Sequence, residues 1–385
     1  MSELLKQAEA GNARFYLQFG GQGAPWIKEL AAYYGDDKFK QFFDVVLGAI
    51  EAERPRVDGS IGLPHGIDAR SWLENADSIP GEDYLATAAV SIPMIQVTQL
   101  AHVENLRQNG FPLEKMLQYT VAATGHSQGL IPACLMAQDL SGKQYLEGLE
   151  KYVKYLLYLG VSAQKAYPYF APTQEEISAS EELGGSAPAP MVAVLGESHE
   201  YIQGLVDAIN PDLPKDQQIY ISLYNSPANR ILSSFRSSLI AFHRKYNTEL
   251  AEKKIKFVYL RTTCPFHCAL MKSIRDIFEP EIKHIGFTYT GADLKRPVYS
   301  FVDGVDMATT GERLPIKMYE DMAIEPLYWH KSVSPGVLNA QVTHFLDFGP
   351  GKTSQRLSMD VMKDLGTEKE VLAAGVPKDV KKILA

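Results

Sequence analysis

Cysteine is scarce in this chain: Cys134, Cys264 and Cys268 are the only three in 385 residues. Three cysteines at these spacings are too few for a disulfide framework or a zinc site, so we expect a reducing compartment and no bound metal. Uninterrupted apolar runs also stay well short of the ~18 residues of a membrane span, and residues 1–9 lack the apolar core of a signal peptide. These absences predict a cytoplasmic protein without a membrane partner.

Blocks of lysine and arginine are missing as well, and the formal net charge is -8 at pH 7. Because phosphate contacts require a basic face, this charge argues against a general nucleic-acid binder. Hydrophobic residues make up 45% of the chain and charged residues 22%, with both signs interspersed, as in globular proteins. The length predicts two domains, or one domain carrying an insertion.

The most informative stretch is the G-H-S-Q-G run at residues 125–129, which follows an apolar segment and leads into another. This order predicts a strand, a sharp turn and a helix, the arrangement of a nucleophile elbow whose glycines allow close backbone approach. Ser127 is then the candidate nucleophile. The backbone N–H of Gln128, at the start of the helix, is half of an oxyanion hole. A small-residue turn without chemistry is the alternative, which the strand-turn-helix context disfavours.

A second glycine-rich turn, G-G-Q-G at residues 20–23, follows a predicted strand at residues 14–19. It lacks the Lys-Ser/Thr pair of a P-loop and the spacing of a dinucleotide fingerprint. We interpret it as an oxyanion loop in which Gln22 supplies a second backbone N–H opposite that of Gln128, while its side chain braces the pocket. A tight turn without a ligand is the alternative.

The second half of the chain contains closely spaced strand and helix patterns. Residues 171–190, rich in Pro, Glu, Ser and Gly, predict a linker. After it we predict strands at 190–195, 218–224, 229–234 and 254–261, with helices at 198–209 and 237–246. The order βαββαβ is that of a ferredoxin-like domain. The chain therefore divides into a large subdomain (1–188 and 263–385) and an inserted small subdomain (189–262).

The large subdomain resumes at the P-F-H run that ends at His267. A serine hydroxyl is a weak nucleophile until a neighbouring imidazole takes its proton, and we select His267 for that role. A buried core histidine is the alternative. His126, next to the serine, points elsewhere in an elbow and suits a polar pocket. Asp347 is the acid that a triad would recruit, but it alternates into a buried strand, and a backbone carbonyl orients an imidazole equally well.

Four motifs, F-G-G-Q-G, G-H-S-Q-G, P-F-H and L-D-F-G-P-G, occur in this order around the insertion. Together they resemble the acyl-CoA:acyl carrier protein (ACP) transacylase family, which includes malonyl-CoA:ACP transacylase. More narrowly, residues 125–130, 160–168, 221–225 and 344–351 resemble the acetyltransferase domain of the type I fatty acid synthase of fungi and some bacteria. The resemblance implies an α/β fold, with an α/β-hydrolase-like large subdomain and an inserted ferredoxin-like small subdomain.

The resemblance also implies roles for single residues. It assigns the acyl-carrying serine to Ser127, the base to His267, and the oxyanion hole to the backbone of Gln22 and Gln128. A main-chain carbonyl orients the histidine in this family, and by position we assign it to Tyr328, within residues 326–329. The residues implied for the acyl pocket are His126, Leu159, Gln164, Asn225 and Phe266. Acyl-CoA is the implied substrate, with no bound cofactor, and the implied partners are an ACP and other fatty acid synthase subunits.

One departure from the family bears on the acyl group. Malonyl-selective members carry an arginine before a glycine in an R-G-x-x-x-Q-like run, where it holds the malonyl carboxylate in two hydrogen bonds. This chain has Leu159 at that place, followed by Gly160 and, later, Gln164. An unpaired buried carboxylate costs several kcal/mol, so an uncharged group such as acetyl fits better. An alignment shifted by one turn brings Lys154 or Lys165 to the carboxylate, which keeps malonyl as an alternative.

The implied reaction is ping-pong, with an acyl-serine that waits for the phosphopantetheine thiol of the carrier. A serine esterase or thioesterase uses the same elbow, but is expected to place an acid between serine and histidine in sequence and to favour water. A non-catalytic synthase subunit is a third alternative, disfavoured by the intact Ser127, His267 and Gln22. Because carrier proteins are acidic, a basic docking patch is expected, and its candidates are Lys143, Lys151 and Lys154.

Overall fold

The computed structural model describes residues 2–385. Its strands are β1 (Phe15–Phe19), β2 (Thr120–Gly125), β3 (Met191–Leu195), β4 (Tyr220–Ser226), β5 (Asn229–Ser233), β6 (Lys256–Tyr259), β7 (Leu327–Tyr328), β8 (His344–Asp347) and β9 (Glu370–Ala373). The helices before β3 are α1 (Glu3–Glu9), α2 (Ile27–Ala31), α3 (Lys40–Val57), α4 (Ala69–Glu74), α5 (Glu82–Leu85), α6 (Ala88–Gln108), α7 (Leu113–Gln118), α8 (Leu130–Ala137), α9 (Gly142–Ala166) and α10 (Gln174–Glu181). Those after it are α11 (His199–Ile209), α12 (Arg236–Glu252), α13 (Ile274–His284), α14 (Leu314–Ala323), α15 (Trp329–Leu338), α16 (Thr353–Asp364) and α17 (Pro377–Leu384).

The large sheet has the strand order β2-β1-β8-β9, and all its neighbouring strands run parallel. Parallel sheets are covered on both faces, and every residue of β1 is accordingly buried. Helix α6 is buried on nearly all sides and packs within the large core. Helix α9 crosses it closely, since a Cβ at Gly160 would lie 2.6 Å from the carbonyl oxygen of Ala88. Because β1 and β2 are parallel neighbours, their carboxyl ends meet at the same buried edge of the sheet.

The small sheet has the order β6-β3-β5-β4-β7. Its first four strands are antiparallel and, with α11 and α12, form the predicted βαββαβ unit. Side chains alternate across the sheet: Val192 and Val194 pack on α11 and α12, whereas Met191 and Ala193 join the core of the large subdomain. The sheet thus lies between its own helices and the large subdomain. Strand β7, which the sequence did not predict, adds to β4 in parallel from far along the chain.

The predicted linker contains a helix, which corrects that expectation. Helix α10 begins with a complete capping box between Thr173 and Glu176, and Ala179 and Leu183 pack against the core of the small subdomain. The structure also adds β9 and α17 at the C-terminal end. Over residues 2–385, none of the helices combines the length and the apolar character that crossing a bilayer requires.

Candidate active site

The G-H-S-Q-G run forms a strained turn between β2 and α8. Ser127 has a φ of 55°, a left-handed conformation that side chains rarely adopt. The flanking glycines are required by contact: a Cβ at Gly125 would lie 1.8 Å from the carbonyl carbon of Gly129. A Cβ at Gly129 would lie 2.3 Å from the oxygen of Phe19, at the end of β1. The sequence therefore folds here into an elbow pressed against the glycine-rich loop.

His267 meets the serine across the fold. Its Nε2 lies 2.7 Å from the Oγ of Ser127, and its Nδ1 lies 2.9 Å from the carbonyl oxygen of Glu325. Because that carbonyl only accepts, Nδ1 carries the proton and Nε2 is left to accept from the serine hydroxyl. The backbone of His267 is itself left-handed, with a φ of 62°, and its N–H donates to Ala323. The pair is nearly closed to solvent, with Ser127 8% exposed and His267 2%.

The orienting carbonyl is that of Glu325, which corrects our assignment to Tyr328. The chain leaves α14 at Ala323 and turns at residues 324–326, so Glu325 faces the imidazole before β7 begins. Tyr328 lies in β7, where its N–H donates to Phe301 and its ring stacks on Tyr224. The predicted segment was residues 326–329, and Glu325 lies one residue before it. Position in the sequence did not give the turn geometry that decides which carbonyl points inward.

His126, next to Ser127 in the elbow, contacts the small subdomain. Its Nε2 is 2.8 Å from the Oδ1 of Asn225, at the end of β4, and its ring lies 5.2 Å from that of Trp329. Burial lowers the pKa of His126 to about 4, against the hydrogen bond that its Nε2 makes to the amide oxygen of Asn225, which raises it. The neutral imidazole thus lies beside the amide of Asn225, and its role in a polar pocket stays a prediction.

The glycine-rich loop is held tightly against the elbow. A Cβ at Gly21 would lie 2.7 Å from the Nδ1 of His126. The Nε2 of Gln99, on α6, donates to the carbonyls of Gly20 at 2.8 Å and Gly349 at 2.7 Å. Gln99 was not predicted as a site residue, and no pattern in the sequence marks it among the buried positions of α6. Helix α6 therefore fixes the loop that carries Gln22, through the side chain of Gln99.

Both predicted oxyanion residues have engaged side chains. The Nε2 of Gln22 donates to the Oγ of Ser91 at 2.5 Å, and its Oε1 accepts from the Oγ1 of Thr262 at 3.1 Å. The side chain of Gln128 is fully buried and donates to the carbonyl of Ile92 at 3.1 Å. These bonds anchor the two residues through their side chains, so none of them uses a backbone N–H. Their role as oxyanion donors stays a prediction.

The predicted acyl-pocket residues on α9 and beside His267 are buried. Leu159 has no exposed surface. The amide of Gln164 donates to Tyr167 at 2.7 Å and accepts from Thr263 at 2.6 Å, so it ties α9 to the chain that returns from the small subdomain. Phe266 is 2% exposed, and its carbonyl accepts from Ser233. Their part in acyl binding stays a prediction.

The hydrogen bonds of Asp347 go to the turn that follows β8, whereas His267 bonds to Glu325. The carboxylate of Asp347 accepts from the N–H of Gly349 at 2.9 Å and from the Oγ of Ser354 at 2.8 and 2.9 Å, where it fixes the turn before α16. Burial raises its pKa, and these hydrogen bonds lower it in part. The doubt about an aspartate triad is thus supported by the contacts that Asp347 makes.

The pKa of His267 is lowered to about 3, chiefly by burial and also by the nearby His126, and the hydrogen bond to the carbonyl of Glu325 opposes this shift. The unfolded chain binds a proton on this histidine below its ordinary pKa of about 6.5, whereas the folded chain does not. We therefore expect His267 to reduce the free energy of unfolding as the pH falls from about 6.5 toward 3, by about 2 kcal/mol at pH 5. Urea denaturation of wild type and His267→Gln at pH 7 and 5 measures it. Equal pH dependence in both proteins would contradict the prediction.

Comparison with known proteins identifies the family. The sequence profile described as "Starter unit:ACP transacylase in aflatoxin biosynthesis" matches residues 17–267, a span that includes Gln22, Ser127 and His267. The chain belongs to this starter unit:ACP transacylase family. Membership confirms the resemblance to ACP transacylases predicted from the four motifs.

Relatives of this transacylase family member include the fatty acid synthase subunit beta of Saccharomyces cerevisiae. The two are 28% identical over 400 residues, which cover 97% of this chain and 19% of the relative. The chain thus spans about a fifth of the length of that protein.

Solved transacylases share the fold. A malonyl CoA-acyl carrier protein transacylase from Clostridium perfringens is 19% identical, with a TM-score of 0.68 over 97% of this chain and 96% of that one. A malonyl-transacylase in complex with its type II polyketide synthase ACP is 17% identical, with a TM-score of 0.66 over 96% of this chain and 99% of that one. These likenesses confirm the predicted fold, a hydrolase-like large subdomain with a ferredoxin-like insertion.

Proposed function

We propose that this chain moves an uncharged short acyl group, most simply acetyl, from CoA to the phosphopantetheine thiol of an ACP. The observation that carries the proposal is the 2.7 Å contact between Ser127 and an imidazole whose other nitrogen is fixed by a carbonyl, in a member of a transacylase family. That contact is what a serine needs to become a nucleophile.

The reaction has two matching halves. The Oγ of Ser127 attacks the thioester carbonyl while its proton passes to the Nε2 of His267, and the tetrahedral oxyanion is held by the backbone N–H groups of Gln22 and Gln128. The C–S bond then breaks, and CoA leaves as the thiol with the proton from His267. In the second half the carrier thiol gives its proton to His267 and attacks the acyl-serine; the bond between the acyl carbon and the Oγ of Ser127 then breaks, the serine oxygen takes the proton back from His267, and the acyl group leaves as the carrier thioester.

The choice of an uncharged acyl group is supported by the surroundings of α9. Leu159 is buried where malonyl-selective relatives are expected to carry an arginine. The lysine alternative is weakened because the Nζ of Lys154 lies 2.8 Å from Glu150 and 3.1 Å from Glu53. Lys165 is exposed at the end of the helix. A malonyl carboxylate would thus lose water without gaining a free cation.

The proposed partners are acyl-CoA and an ACP, with further fatty acid synthase subunits as the setting in which the chain works. The predicted basic docking patch on α9 has less free positive charge than its three lysines imply. Lys154 is paired with Glu150, and Lys143 lies 3.3 Å from Glu147. Lys151 lies over the ring of Tyr289, 5.3 Å from its centre. We propose the cytoplasm as the compartment because all three cysteines are buried and unpaired.

Intact-protein mass spectrometry tests the proposal. Wild type incubated briefly with acetyl-CoA is expected to gain one acetyl group, which Ser127→Ala lacks and which leaves when holo-ACP is added. Malonyl-CoA is expected to give at most a small fraction of that adduct, because of Leu159. A full malonyl adduct would assign the chain to extender-unit loading instead. Rapid CoA release without a lasting adduct or transfer would favour the esterase alternative.

A further inference from the structure

The side chain of Gln22 spans two parts of the molecule. Its Nε2 donates to Ser91 near the start of α6, and Ser91 donates in turn to the carbonyl of Thr87 at 2.8 Å. Its Oε1 accepts from Thr262, at the point where the chain leaves the small subdomain. We call the arrangement Ser91–Gln22–Thr262 the glutamine clamp. It links the oxyanion loop to the large subdomain at one end and to the small subdomain at the other.

The hydroxyl of Thr262 has one close acceptor. Its Oγ1 lies 3.1 Å from Gln22, whereas its distances to the N and O of Cys264 are 3.5 Å. Thr262 is 8% exposed, so water has little access to replace the bond. The adjacent Thr263 points elsewhere: its Oγ1 donates to Gln164 and accepts from the N–H of Ala88. The contact with Gln22 is therefore specific to one of two neighbouring threonines.

The clamp stands between two cavities. One, of about 220 Å³, is lined by Gly23, Trp26 and Ser91; the other, of about 470 Å³, is lined by Tyr259 and Thr262. Both border Arg261 and Ala86. Each end of the clamp thus lines a cavity, while its middle carries the predicted oxyanion donor.

We propose that Thr262 is a positioning residue that fixes the backbone N–H of Gln22 through the side-chain amide. This inference rests on the proposed function. The loop contains three glycines and has little stiffness of its own, so its direction depends on what holds it. Gln99 holds the carbonyl of Gly20, and the clamp holds residue 22. Loss of the Thr262 hydroxyl leaves a half-buried amide oxygen without its partner, and the oxyanion donor loses its preset direction.

The test compares three isosteric or near-isosteric variants with wild type, using the rate of acetyl-enzyme formation from acetyl-CoA. Removal of a whole oxyanion donor costs about 10²–10³ in rate, so its misorientation in Thr262→Val is expected to cost about tenfold in the maximal acylation rate, with the half-saturating acetyl-CoA concentration within about twofold. Thr262→Ser keeps the hydroxyl and is expected to retain wild-type activity. Thr98→Val, which removes another buried hydroxyl that bonds only within α6, is the control for a general loss of stability.

The outcomes separate the possibilities. Because His267 is untouched, the pH dependence of acylation should be the same in Thr262→Val and wild type; a shifted profile would overturn the inference. It would also fail if Thr262→Val matched wild type, or if Thr262→Ser were equally slow. Should Thr262→Val melt early, Ser91→Ala releases the other end of the clamp and is expected to show the same loss in the maximal acylation rate. Wild type that never acylates Ser127 would overturn the proposed function and this inference together.

Discussion

A His267→Gln variant is expected to form the acetyl-enzyme about 10³-fold more slowly than wild type. Glutamine keeps much of the volume but has no nitrogen that can take the proton of Ser127, and general-base catalysis contributes about 10²–10⁴-fold. The backbone bond from residue 267 to Ala323 is unaffected by the side chain, so the fold should persist. Rapid-quench mass spectrometry of the adduct at subsaturating acetyl-CoA measures the rate.

The wild-type pH profile adds a second readout. Because burial lowers the pKa of His267 to about 3, its neutral form persists below pH 6.5, and the acylation rate should stay level between pH 7 and 5. His284→Gln, a change at an exposed histidine paired with Glu53, is the control and should acylate at the wild-type rate. A twofold loss near pH 6.5 in wild type, or an active His267→Gln, would contradict the assignment of the base.

Gly125→Ala is expected to prevent stable folding, with a loss above about 4 kcal/mol in the free energy of unfolding. The new Cβ would lie 1.8 Å and 2.0 Å from the carbonyl carbon and oxygen of Gly129, and 2.1 Å from the nitrogen of Leu130. All three are backbone atoms, so relief requires the elbow and the start of α8 to move. Urea denaturation and the yield of soluble protein measure the effect.

Gly204→Ala is the matched control. Gly204 lies inside α11, where a Cβ would meet nothing within 4 Å. Alanine should therefore stabilise the protein, by up to about 1 kcal/mol, because glycine is the poorer helix former. If Gly125→Ala unfolded at the wild-type urea concentration and still acylated, the close approach of β2 and α8 would not be what the elbow requires.

Much of the fold was predictable because its elements are local. The βαββαβ order follows from alternating apolar residues and turn signals, and each predicted strand overlaps an observed one. The prediction of a linker without a helix was wrong because it was based on composition. One short signal of a helix start was present in the sequence, since Thr173 and Glu176 stand at capping-box spacing. Strand β7 has only two residues and exists because β4 offers an edge, which no local pattern reveals.

The site was predictable where a motif fixes a backbone shape. The elbow requires glycines around Ser127, so the G-H-S-Q-G motif makes it recognisable in the sequence. The P-F-H motif marks His267, which the structure brings within hydrogen-bond distance of Ser127. Glu325 escaped prediction because any residue has a carbonyl, and only the turn after α14 selects one. Thr262 and Gln99 escaped for a similar reason: a hydroxyl or amide becomes a support only when a distant loop lies beside it.

The pairing of β4 with β7 limits how this protein can be rebuilt from parts. Residues 189–262, the inserted small subdomain, invite exchange with the corresponding insert of a relative in order to alter which acyl group is accepted. Yet Leu223 and Tyr224 are paired with Leu327 and Tyr328, which belong to the surrounding chain and lie next to the carbonyl that holds His267. A transplanted insert would meet a foreign edge strand there. Chimeras should therefore carry residues 324–329 together with the insert, as one exchange unit.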